Sequence, residues 1–171
     1  RGTAYHRALE LIHFAEISGY DDIVKELDRI REEKRMQETA IDMVYPGVLT
    51  KFFHSDIAAR MKQADRNGKL RKESQFVVGI PAREMNKADS DALILLQGII
   101  DAWFKEDDGL VLVDYKTDRV KEGGENILLD RYQIQLFYYA KALAQITGKK
   151  VKEAVIYSLA LQKEIPVPIN L

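Results

Sequence analysis

The chain has 171 residues, 46% of them hydrophobic and 31% charged, enough apolar material for one domain with a proper core. Its 26 basic and 27 acidic residues give a formal net charge of -1, so any contact with nucleic acid must come from a local patch or from other domains. Zero cysteines exclude disulfides, zinc–thiolate sites and cysteine-ligated iron–sulfur clusters, and no apolar run approaches the roughly 20 residues needed to span a membrane.

The first element is predicted as a helix from Thr3 to Ser18, capped by Thr3 and ended by Gly19. A second helix is expected from Asp21-Asp22, with Ile23, Leu27 and Ile30 at helical spacing. Arg31 to Arg35 carries both signs and reads as a solvated helix face. Pro46-Gly47 is expected to break the chain. Phe52 to Ala64 is helical again, with Ser55 as an internal cap, and Asp65 to Gly68 is a turn. The period then changes. Ser74 to Ile80 is a predicted strand ended by Pro81, and Arg83 to Asp91 a mobile loop. Leu93 to Leu96 and Leu110 to Val113 are short, branched and bounded by charge or glycine, as strands are. Gly109, after Asp107-Asp108, suits a hairpin turn between them. Ile127 to Ile146 is the longest helical pattern, with Gly148 to cap it, and Val151 to Leu161 is a last strand. Helices, three strands, a helix and a strand predict an α/β domain on one mixed sheet, 1–171, with a helical N-terminal part.

Asp114-Tyr115-Lys116 ends one apolar run, and Asp101 follows another by way of Gly98-Ile99-Ile100. Side chains on a strand alternate faces, so Asp114 and Lys116 share one. A hairpin pairing brings Asp101 beside them. Two carboxylates and one ammonium at a sheet end suit a divalent metal held by acids, with a lysine near the water or phosphate it activates. On the long helix, Gln135 and Tyr139 stand at i and i+4 and share a face, with Arg131 one turn earlier.

Four segments fall in a familiar order: Gly2-Thr3-Ala4-Tyr5-His6, Gln97 to Asp101, Asp114 to Asp118 and Gln135 to Tyr139. Together they resemble the PD-(D/E)XK nucleases, the restriction-endonuclease-like fold, and within them the RecB-type branch. The chain looks like the C-terminal nuclease domain of an AddA-type helicase–nuclease. Ile100 stands where the namesake motif has proline, and Asp114 where other members have glutamate; both variants are at home in the RecB branch. The resemblance implies a metal-dependent DNA exonuclease. It makes Asp101 and Asp114 carboxylate ligands of Mg2+, with Mn2+ as a substitute, adds the carbonyl of Tyr115, and brings His6 to the same metal. Lys116 is then the catalytic lysine that orients the attacking water. Gln135 and Tyr139 are expected to touch the DNA backbone or to brace the lysine, and Arg131, one turn earlier, to contact phosphate. The implied setting is the bacterial cytoplasm, in double-strand break processing. The implied partners are DNA, helicase domains of the same polypeptide and a second subunit of AddB type. The opening Arg1-Gly2-Thr3, without initiator methionine or signal peptide, is expected of a fragment of something longer.

Other roles stay open at this level. Tyr139 lies on the apolar stripe, so simple packing rivals a DNA contact. Glu10, one turn from His6, is either a support for the imidazole ring or a surface residue. His13 and His54 read as helix-surface residues, Glu73 as structural and Trp103 as packing. Lys62, Arg66, Lys69, Arg71 and Lys72 form the densest basic stretch; a solvated helix end is the default and DNA contact the alternative. A nuclease-fold module without catalysis competes with the enzyme, and so does a stand-alone exonuclease. No Gly-rich Lys-Ser/Thr loop is present, so ATP binding is not expected of this chain.

Overall fold

A computed structural model describes residues 2–85 and 90–169. Five helices come first: α1 (Gly2–Leu11), α2 (Tyr20–Glu32), α3 (Glu38–Ile41), α4 (Pro46–Phe53) and α5 (Asp56–Arg66). Then follow β1 (Leu70–Pro81), β2 (Leu93–Glu106), β3 (Gly109–Lys116), the long helix α6 (Glu125–Thr147), β4 (Val151–Ser158) and β5 (Lys163–Val167). The strands lie in chain order in one mixed sheet. β3 and β4 are parallel and every other pair is antiparallel. This is the expected α/β architecture. Among the described residues no helix is long and apolar enough to cross a membrane.

The sheet is covered on both faces. Leu9, Ile12, Phe14, Phe52 and Met61 of the helical part pack on Phe104, Val111, Val113, Tyr115 and Tyr157. Leu128, Leu136 and Leu143 of α6 pack on Ile100, Leu110, Leu112 and Ile156. β3, sandwiched between the two cores, is buried at all but its first and last positions, and Leu110 to Val113 is an unbroken apolar run, as a central strand with two buried faces requires. Edge-to-face rings tie the layers together: Phe52 meets Tyr157 at 4.8 Å and Tyr115 at 5.5 Å between centroids. Such pairs each add about 0.5–1.5 kcal/mol beyond their area.

Several boundaries differ from the sequence expectation. α1 stops at Leu11 rather than Ser18, and a 3-10 turn covers Phe14–Glu16. Lys72 Nζ donates to the carbonyls of Leu9 (3.3 Å) and Ile12 (2.7 Å), and Glu26 accepts from the His13 N–H at 2.9 Å. Side chains remote in sequence thus end this helix. Gly19 precedes α2 instead of closing α1. Pro46 starts α4 at its first turn, where its missing N–H costs nothing. Ser55 caps a separate helix, accepting from the Ala58 N–H at 3.3 Å. β2 runs far past Leu96, because its ladder with β1 continues from Pro81↔Leu93 to Leu70↔Phe104. The last predicted strand, Val151 to Leu161, stops at Ser158, and a further strand, β5, follows it beyond the predicted range. β5 escapes a propensity reading because it contains Pro166; a proline is tolerated on an edge strand. Of the loop expected over 83–91, Ala82–Met85 forms a 3-10 turn, and residues 86–89 lie outside the described residues.

Candidate active site

The site forms where β3 outlives its pairing with β2. That ladder ends at Ala102↔Val113. One residue further along β2, the Asp101 side chain replaces the missing ladder bond, and its Oδ2 accepts from the Tyr115 N–H at 2.8 Å. Asp101 is therefore inside a strand rather than after one, yet it stands beside the end of β3 as the hairpin reading required. α1 lays His6 across the same point. Its Nε2 is 3.0 Å from the Tyr115 carbonyl oxygen and 3.2 Å from Asp101 Oδ2.

On the α6 side of β3, Asp114 is 4% exposed. Its Oδ2 lies 2.7 Å from Lys116 Nζ. The approach is an ion pair without hydrogen-bond alignment, so this buried oxygen has no hydrogen-bond partner among the described residues. Burial, then the charge of Asp101, pushes the Asp114 carboxyl well above the usual range, and Lys116 opposes the shift. α6 completes the surroundings of the lysine. Lys116 Nζ sits 4.0 Å from the centroid of the Tyr132 ring and donates to Gln135 Oε1 at 3.4 Å. Gln135 Nε2 in turn donates to the Tyr139 hydroxyl at 3.2 Å. The ring of Tyr139 packs edge-to-face on Phe76 at 5.2 Å, so packing and polar contact are joined in one residue. Gly98 makes room for it: a Cβ there would lie 2.9 Å from the Tyr139 hydroxyl. Arg131 is paired with Asp118, which also accepts from the Tyr132 hydroxyl at 2.8 Å.

A model of the PD-(D/E)XK nuclease superfamily matches residues 1–167. The chain belongs to this superfamily. The A subunit of the ATP-dependent helicase/nuclease of Lachnoclostridium phytofermentans is 36% identical over 201 residues, covering 98% of this chain and 15% of that protein. Its counterpart in Clostridium perfringens is 38% identical over 173 residues, covering 98% and 14%. The nuclease domain thus spans about a seventh of the relatives' length. The solved structure of SSO0001 aligns with a TM-score of 0.41 at 17% identity, over 84% of this chain and 64% of that one.

The donor set suits a hard divalent cation. Ligands at adjacent corners of an octahedron with bonds of about 2.1 Å lie about 3.0 Å apart. The distances from His6 Nε2 to Tyr115 O and Asp101 Oδ2 have that size, and Asp114 offers a buried oxygen without a hydrogen bond. Two oxygens of carboxylates and one of a carbonyl favour magnesium, and the imidazole shifts the balance toward manganese. The ligand atoms of His6, Asp101 and Asp114 do not all gather within 4.8 Å of one another among the described residues. Among the described residues, the histidine and acids whose ligand atoms gather within 4.8 Å are His13, Glu16 and Glu26, away from this site. That group is already engaged: burial alone would raise the Glu26 carboxyl, but hydrogen bonds from Arg29 and the His13 N–H hold it at about 2. His13 is exposed, as expected of a surface residue, and its Nδ1 lies 3.2 Å from Glu26 Oε2.

Three participants escaped the sequence reading. Glu73 takes a left-handed conformation, φ 49°, between the pairs Lys72↔Ala102 and Ser74↔Ile100. The register sets it opposite Asp101. Burial, then Asp101, raises its carboxyl, with Glu10 adding to the effect and His6 and Arg7 opposing it. Only its place in a strand pattern was visible in sequence. Tyr132, which stands with Leu136, Tyr139, Leu143 and Ile146 on an apolar stripe of the long helix, faces Lys116. Asp118 belonged to the quoted motif but had no assigned work. Glu10 pairs with Arg7.

Proposed function

We propose that this chain is the metal-dependent DNA exonuclease domain, 1–171, of a bacterial cytoplasmic ATP-dependent helicase–nuclease. Its reaction is hydrolysis of phosphodiester bonds during double-strand break processing for recombinational repair. The observation that carries the reading is the meeting of His6, Asp101, the Tyr115 carbonyl, Asp114 and Lys116 at one end of β3. The relatives support the setting: helicase domains of the same polypeptide and a second subunit of AddB type complete the machine, and DNA is the substrate.

Asp101, Asp114, the Tyr115 carbonyl and His6 would hold Mg2+, with Mn2+ as a substitute. The bound ion supplies Lewis acidity that acidifies a water and offsets charge on the scissile phosphate. Lys116 Nζ, held between Asp114 and Gln135, directs an N–H toward the incoming water and the phosphate oxygens. Its charge stabilises the negative charge that grows there as the new P–O bond forms and the bridging P–O bond breaks. The leaving oxygen takes a proton from solvent. Gln135 and Tyr139 restrict the lysine to one position and face the phosphate backbone. Contacts of this kind carry no base information, as degradation from an end requires. Arg131 adds a cation beside Asp118.

The test pairs Mn2+ binding, followed by electron paramagnetic resonance, with cleavage of end-labelled DNA. Wild type should bind Mn2+ and shorten the DNA. Asp101→Ala should lose both, and Lys116→Ala should keep the ion and lose cleavage by at least about 100-fold. Mn2+ binding that survives Asp101→Ala, or no cleavage of any DNA at saturating metal, would overturn the proposal in favour of an inert module that guides DNA.

A further inference from the structure

The basic stretch that stood out in the sequence does not act as a unit. Lys62 donates to the Phe53 carbonyl, and Lys72 is turned inward onto Leu9 and Ile12 and over the Phe14 ring. Lys69 and Arg71 instead join two lysines from elsewhere. With Lys105 of β2 and Lys149 beyond α6 they line a groove of about 370 Å3 that also contains Trp103 and Leu110. Four cations share this hollow with little to neutralise them. Among the described residues Arg71 donates only to the carbonyls of Gly68 and Leu70, at 2.9 Å each. Lys69 has Asp107 at 4.0 Å, a fully exposed carboxylate. Neither Lys105 nor Lys149 has a carboxylate within ion-pair distance among the described residues. The nearby Glu106 and Asp108 are engaged by Lys152, and Glu106 also by Arg60. Lys105 lies so close to Lys149 that it lowers that ammonium below its ordinary value. Like charges held together without a counterion form a place for an anion that spans both.

The groove has a second component. Trp103 is held in place by a hydrogen bond from its Nε1 to Ser74 Oγ at 3.0 Å, and its ring remains partly exposed. An aromatic plane among phosphate-seeking cations is the pairing that single-stranded nucleic acid uses: cations follow the backbone and a base stacks on the ring. The groove lies at the end of α6 where Thr147 stands, and Gln135 is twelve residues earlier, about 18 Å along the helix. That separation lets one strand touch both places.

We propose that Lys69, Arg71, Lys105 and Lys149, around Trp103, form a second contact for single-stranded DNA, which grips the strand a few nucleotides from the bond being cut. The inference rests on the nuclease reading for the identity of the polyanion. It is separate from the metal site, so binding can be measured in EDTA, where no cleavage occurs.

Trp103 is the one tryptophan of the chain, so its emission reports on the groove directly. A labelled oligonucleotide of thymidines is titrated into the full chain while fluorescence anisotropy and tryptophan emission are followed together. The expected result is quenching of Trp103 along the same isotherm as the anisotropy. Lys105→Ala with Lys149→Ala should weaken binding. It should also reduce the slope of log K against log salt by about 1.4, two phosphate contacts at about 0.7 each. Between 50 and 200 mM salt, wild type should then lose about sevenfold more affinity than the variant. Lys25→Ala with Lys51→Ala, the same charge change on the helical layer, should leave the slope as it is. If wild type binds but Trp103 emission and the salt slope ignore the groove, the groove is no contact and the nuclease reading survives. If wild type binds no single-stranded DNA in EDTA, the groove is no contact, and the nuclease reading is decided separately by Mn2+ binding and cleavage.

Discussion

Tyr115 offers a sharp test, because its two ends have separate fates. Its carbonyl faces His6, while its ring, 2% exposed, packs edge-to-face on Phe52. Its hydroxyl is buried without a hydrogen-bond partner among the described residues. Burial, followed by the charges of Asp101, Glu73 and Asp114, pushes the phenol well above its ordinary value, so the group is neutral. A buried neutral hydroxyl without a partner costs about 1–3 kcal/mol. Tyr115→Phe removes the oxygen and keeps the ring, leaving a void smaller than a methyl group, at a cost of up to about 1 kcal/mol. The variant should therefore be no less stable, and more stable by up to about 3 kcal/mol by the same reckoning. For a chain of this length that is up to about 12 °C in Tm. Urea unfolding in EDTA and calorimetry would read it. Cleavage of end-labelled DNA should stay within about twofold of wild type, since the backbone carbonyl is untouched. A loss of more than about 1 kcal/mol would refute the reasoning: the hydroxyl would then have a partner, such as a buried water shared with Glu73. A tenfold fall in rate at unchanged stability would refute it differently, by placing the phenol in the chemistry.

Gly98→Ala should cost about 1–3 kcal/mol by overpacking and slow cleavage through Gln135, because its Cβ would meet both Tyr139 and Phe76 at about 3 Å; a crystal structure showing Tyr139 unmoved would contradict this. The Arg60 guanidinium bridges Glu106 and Glu153 and holds the Glu106 carboxyl at about 2, against an ordinary 4.5. Such a depressed carboxylate stabilises the fold fully above pH 4.5, and its contribution is lost as pH falls through about 2. Arg60→Ala should thus remove about 1 kcal/mol at pH 7, discounted for solvent exposure, and flatten the acid limb of the stability curve between those values. An unchanged acid limb would mean that the network contributes nothing. Glu73→Gln should raise the metal concentration needed for half-maximal cleavage, because it removes a negative charge opposite Asp101; an unchanged requirement would make Glu73 structural, as its strand pattern suggests.

Much of the site was legible before the fold. Asp114 and Lys116 share a face because strands alternate, and Gln135 and Tyr139 share one because helices repeat near four; both are local rules. Local rules did not reach Glu73, whose left-handed φ and place opposite Asp101 arise from the β1–β2 register, or Tyr132, whose spacing suits core and site alike. Nor could they show that Lys72 would turn inward onto Leu9 and Ile12 while its neighbours Lys69 and Arg71 met Lys105 and Lys149.

The sequence by itself determined that Asp114 and Lys116 share a strand face, that helices precede a mixed α/β part, and that thiolate chemistry is absent. These follow from side-chain type and short-range periodicity. The tertiary structure decided where α1 stops, how far β2 runs, and which charges face each other. Those outcomes depend on contacts between residues far apart in sequence: 34 positions from Leu70 to Phe104, 60 from Lys72 to Ile12 and 109 from His6 to Tyr115. No local pattern records them, because the energy of such a contact exists only once the layers have packed.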